Sequence, residues 1–163
     1  MKIKNQKSGI KNLIHCSPLA ILFSLLIGFY LLSHLAKLTA LPVFADEAIY
    51  IRWTQLMIDD WRRYLFFPLN DGKTPLQMWL MLPLQYLFAD QLYAARILSV
   101  LVGLIQMLVM ALLAKTLGGQ KKAQYLAALL TAILPFWYFH HRMALIDGLL
   151  TLFLSLKIGR AHV

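Results

Sequence analysis

Long runs of apolar residues decide most of what this chain can become. In hydrocarbon the backbone has no water to bond, so a spanning segment satisfies its own N–H and C=O groups as a helix or as a barrel strand. Runs near ~20 residues are helical spans. The clearest cover about residues 18–36, 94–114 and 123–139, and a fourth runs from 143 to 156. Hydrophobic residues make up 60% of the chain and charged ones only 14%, where soluble domains sit near ~45–50% apolar. The fold class this implies is an all-α polytopic membrane protein of about four transmembrane helices. The net charge of +9 does not point to nucleic acid, because the basic residues stand at the ends of the apolar runs and not on one polar face.

Charge sets an expected orientation. Lys2, Lys4, Lys7 and Lys11 precede the first run, which is too long for a cleaved signal peptide and lacks a small-residue cleavage site; an uncleaved signal anchor is the reading. The loop at 115–122 adds Lys115, Lys121 and Lys122 and no acid, whereas segment 37–93 carries five basic and six acidic residues. Lysine-rich segments stay cytoplasmic. The N-terminus and 115–122 are then inside, and 37–93 and 140–142 outside. Every acid, including Asp147 at the start of the fourth run, falls on the outer side. The single Cys16 forms no intrachain disulfide.

Segment 37–93 is not a plain loop. Ile49, Trp53, Leu56, Met57, Trp61, Tyr64 and Leu65 recur at helical spacing among charged residues, which predicts an amphipathic interfacial helix over 47–65. Asn70-Asp71-Gly72 is a turn signal. Residues 75–88 form a shorter apolar stretch broken by Pro83 and belong to the outer interface; a crossing there would put the lysine-rich loop outside, against its charge. The last residues, 157–163, end the fourth run abruptly and read like translated sequencing-library adapter. Residues 1–156 are then the N-terminal part of a larger membrane-embedded domain, and 157–163 are excluded from it.

Asp46-Glu47 follows the first span directly. Carboxylates this near a bilayer are costly unless they face water or a partner. A pair in a first helical turn can simply stabilise the helix that follows, and on the residue pattern alone that alternative is as good as a chemical role. Asp147 is harder to set aside, because it lies within an apolar run. Arg142 can snorkel to headgroups, and Lys73 before Thr74-Pro75 can be a plain loop residue. His140-His141 and His34 read as interfacial or packed histidines, not metal ligands. Trp53, Trp61 and Trp79 read as interface anchors.

Four motifs occur in order at the outer face: Asp46-Glu47; Lys73-Thr74-Pro75-Leu76-Gln77-Met78-Trp79; Ala95-Arg96-Ile97-Leu98; and Arg142-Met143-Ala144-Leu145-Ile146-Asp147. Together they resemble the protein O-mannosyltransferase superfamily and its bacterial relatives, the lipid A aminoarabinose transferases. One departure is that Thr74 separates the lysine from proline, although the Lys-to-Trp spacing is kept. The resemblance implies a C-type glycosyltransferase, a helical bundle with interfacial helices on its outer face. It implies transfer with inversion from a polyprenyl-phosphate sugar to a lipid, glycan or protein acceptor. Carried over by position, Asp46 is the general base, Glu47 orients the acceptor or supports Asp46, and Lys73 meets the donor phosphate. Arg142 and Asp147 complete the mouth of the site. No cofactor is called for, and dependence on a divalent metal is left open. The implied setting is a bacterial inner membrane with the site facing the periplasm. The rival readings are an ion-coupled transporter or channel subunit, with the acids lining a path, and a non-catalytic structural membrane protein.

Overall fold

The structure, a computed structural model, describes residues 18–161. The lysines at 2, 4, 7 and 11, Cys16 and the last two residues lie outside the described residues. The described part is helical, with no strand. Helix α1 (Pro18–Leu35) leads through Lys37, in the left-handed region at φ 48°, to α2 (Ala45–Asp59) and a single turn, α3 (Trp61–Tyr64). A 3-10 turn (Phe67–Asp71) ends at Gly72, whose φ of 68° suits a residue without a Cβ. Then come α4 (Leu76–Leu87), α5 (Gln91–Thr116), α6 (Lys121–Ile133), α7 (Pro135–His140) and α8 (Asp147–Ala161).

Helix α5 is the organiser. Its 26 residues make it long and apolar enough to cross a membrane, the one described helix that meets both tests. It packs against α1, α4, α6 and α8. One side joins Tyr50 and Met57 of α2 and Met78 and Met81 of α4 to Ala95, Leu98 and Val102, with Met143, Leu149 and Leu152 closing the cluster. The other side joins Leu26 and Tyr30 of α1 to Val100 and Met107, with Ala128 and Ala132 of α6. Gly103 sits where α1 and the 141 segment come closest: a Cβ there would run into the Tyr30 hydroxyl and the His141 ring.

Several sequence expectations need adjusting. The run at 123–139 is two helices, because Pro135 forces the preceding Leu134 out of helical geometry (ψ 131°). The run from 143 becomes helical only at Asp147. The amphipathic segment 47–65 breaks at Asp60, whose carboxylate accepts from Arg63 N–H at 3.3 Å and caps α3. Its packed face is also shifted. Glu47, Tyr50, Ile51, Thr54 and Met57 are buried, while Ile49 and Trp61 of the apolar stripe are exposed. The buried face is the one that carries Glu47.

Candidate active site

Glu47, the third residue of α2, is wholly buried and paired with Arg96 of α5. Arg96 Nε donates to Glu47 Oε1 at 2.8 Å, and Nη2 donates to Oε2 at 2.7 Å. The remaining guanidinium protons go to the carbonyls of Leu38, Leu41 and Pro42, at 2.8 to 3.1 Å. All five donors of Arg96 are therefore used, as a buried guanidinium requires. Glu47 is equally engaged: Phe44 N–H donates to Oε2 at 3.3 Å and Ala144 N–H to Oε1 at 2.9 Å. One carboxylate thus holds the first turn of α2, which carries Asp46, and the segment leading into Asp147.

Asp46 itself is exposed in that first turn. Lys73 and Asp147, far apart in sequence, line one cavity of about 650 Å³, together with Trp79, Leu150, Phe153 and the buried Gln77. Asp46 is not among the lining residues. Tyr50 of α2 feels acids from both places. Burial, and then the carboxylates of Asp46, Asp147 and Asp71, push its hydroxyl above the ordinary range. The indole of Trp79 donates to the carbonyl of Leu65 at 2.9 Å, so the ring is fixed as a wall of the cavity.

Arg142 is placed otherwise. Its guanidinium donates to the carbonyls of Ser33, Ala36 and Lys37 and to the Tyr138 hydroxyl, at 2.6 to 3.1 Å, and lies over the Tyr138 ring. It satisfies carbonyls that α1 leaves open at its C-terminal end, as a cation there does favourably. Of the five residues singled out from sequence, Lys73 and Asp147 meet at the cavity, Asp46 lies exposed beside the clamp, and Glu47 and Arg142 are engaged inside the protein. His141 is buried inside the protein. It packs against Tyr30, His34 and Trp137, the room left by Gly103 admitting its ring.

Residues 72–158, more than half of the chain, match the family model for dolichyl-phosphate-mannose-protein mannosyltransferase. The chain belongs to this family. No curated protein and no solved structure matches it. Mannosyltransferases of this family are membrane-embedded glycosyltransferases of the C type, and the apolar α5 fits that setting. The matched stretch contains Lys73, Arg96, Arg142 and Asp147 and leaves Asp46-Glu47 outside it. The mannosyltransferase match thus begins where the cavity begins, at Gly72.

Sequence reasoning singled out the Arg96 motif but gave Arg96 no role. A lone arginine inside an apolar run was the available signal. Gln77, quoted within the lysine motif, received no role either, since a neutral amide carries no such signal.

Proposed function

We propose that the chain carries the outer-face catalytic part of an inverting glycosyltransferase. It moves a sugar from a polyprenyl-phosphate donor to a lipid, glycan or protein acceptor. The observation that carries this reading is the shared cavity of Lys73 and Asp147, tied through the Glu47 clamp to the turn that bears Asp46. Asp46, open to water and to an incoming acceptor, takes the proton of the acceptor hydroxyl as its oxygen attacks the anomeric carbon. The bond from that carbon to the phosphate oxygen breaks on the opposite face, and the phosphate leaves with the electron pair. Lys73 stabilises the departing charge as a point cation. Asp147, across the cavity, orients the sugar. Glu47 and Arg142 act as positioning residues, the first for the two acids and the second for the exit from α1. The apolar walls of Leu150 and Phe153 suit an isoprenoid.

The setting proposed with this chemistry is a bacterial inner membrane. Helices α1, α5, α6–α7 and α8 cross it, α2 to α4 lie at the periplasmic interface, and the N-terminus is inside. The deciding variant is Asp46→Asn, assayed for transfer in membranes and for insertion by carbonate extraction. Loss of a general base costs roughly 10²- to 10⁴-fold in rate, with insertion unchanged. Transfer at the wild-type rate would remove Asp46 from the mechanism.

A further inference from the structure

Gln77, the second residue of α4, is 2% exposed and lines the cavity shared by Lys73 and Asp147. Neither its amide nitrogen nor its amide oxygen has a hydrogen-bond partner. A primary amide shut away from water with nothing to bond is costly, and native interiors rarely leave one so. Gln85 also lacks a partner at both amide atoms, and Gln106 lacks one at its oxygen while its nitrogen donates to Ser155 Oγ at 3.0 Å. Gln77 is the one that borders this cavity. The polar residues that share the cavity wall, Lys73, Thr74 and Asp147, give it no hydrogen bond.

The two open atoms define what would complete it. An isoprenoid chain offers neither a donor nor an acceptor. A phosphate oxygen accepts from Nε2 but sets negative charge against Oε1. A sugar hydroxyl both donates and accepts, and so matches an amide that does the same. We propose that Gln77 is a specificity-determining residue whose amide, covered in this structure, turns into the cavity to read a hydroxyl of the donor's sugar ring, donating from Nε2 and accepting at Oε1. This rests on the donor reading of the same cavity and adds the group within it that distinguishes one sugar from another. Lys73 serves the phosphate end and Gln77 the ring.

The test is equilibrium binding to the purified full chain in lipid nanodiscs. The probes are a short-chain isoprenyl phosphate, its mannosyl ester, and the set of monodeoxy-mannosyl esters. The wild type should bind the mannosyl ester more tightly than the bare isoprenyl phosphate, and should bind one monodeoxy analogue roughly ten- to hundredfold more weakly than the intact ester. In Gln77→Leu the intact and that deoxy ester should bind alike, while affinity for the bare isoprenyl phosphate stays the same. Without ligand, Gln77→Leu should melt at or above the wild-type temperature, since it removes an unpaired amide. If Gln77→Leu still discriminates against the deoxy ester, or if the wild type never does, the proposal is wrong and the donor reading stands. If the wild type binds no isoprenyl phosphate at all, the donor reading falls and this proposal with it. If both Gln77→Leu and the near-isosteric Gln77→Met fail to fold, the amide is structural and the proposal is overturned.

Discussion

Arg96 and Glu47 are complementary to the last proton: five guanidinium N–H groups meet three carbonyls and one carboxylate, all out of water. The pair is worth most when only one partner is removed, because that strands a buried charge. Glu47→Gln or Arg96→Met alone should destabilise the protein by about 3–5 kcal/mol, read as a fall in the thermal midpoint in detergent. The double variant Glu47→Leu with Arg96→Met should cost less than either single change, and a double variant worse than both would contradict the ion-pair account. Arg96→Lys should rescue little, since an ammonium cannot reproduce the fork. His141 gives a second residue-scale expectation. Burial first, then the charges of His34 and His140, hold its pKa down at about 4, against 6.5 unperturbed. The unfolded chain therefore binds a proton that the folded chain refuses, and stability falls as pH drops from about 6.5 to about 4. His141→Gln should flatten that slope in a thermal melt followed against pH.

At the scale of elements, α5 must let α1 and the 141 segment press against it, and Gly103 is the place where it does so. Gly103→Ala puts a methyl into the Tyr30 hydroxyl and the His141 ring, an overpacking that should cost about 1–3 kcal/mol. Gly28 of α1 has open space around it, so Gly28→Ala should be neutral or stabilising by up to about 1 kcal/mol. Thermal midpoints of the two variants, side by side, check the contrast. Much of this level was readable in advance. Apolar runs located α1 and α5, Asn70-Asp71-Gly72 marked the turn, and Pro135 stood where the third run breaks. The rotation of α2 was not readable. Its strongest apolar stripe runs through Ile49 and Trp61, yet the buried face is the one that carries Glu47, whose carboxylate finds Arg96 and two backbone N–H groups there, while Ile49 and Trp61 turn outward. Likewise the pairing of Glu47 with Arg96 joins positions 49 apart, which no local pattern encodes.

For the whole molecule, the outward face of the bundle is apolar. Leu25, Leu32, Leu112, Leu126 and Leu154 are exposed along α1, α5, α6 and α8, as expected of a surface that meets hydrocarbon and not water. The proposed topology follows from the lysines and acids at the two ends. Single cysteines introduced at Asp71 and at Lys121, in a Cys16→Ser background, should label from opposite sides with a membrane-impermeant maleimide: position 71 in intact cells, position 121 only after lysis. Labelling of both from outside would reverse the placement of the 115–122 loop. The conspicuous charges of an otherwise apolar chain made Asp46, Glu47, Lys73 and Asp147 visible as site candidates. Their division into cavity and clamp was not visible, because burial depends on which helices meet.

The clamp also constrains the order in which the chain can be made. Glu47 leaves the ribosome 49 residues ahead of the arginine that neutralises it. Until Arg96 emerges, a carboxylate in the interior has no counterion, so the physics keeps α2 at the water boundary while α5 is still being synthesised. The turn bearing Asp46 can therefore close onto the bundle only after α5 has entered the membrane.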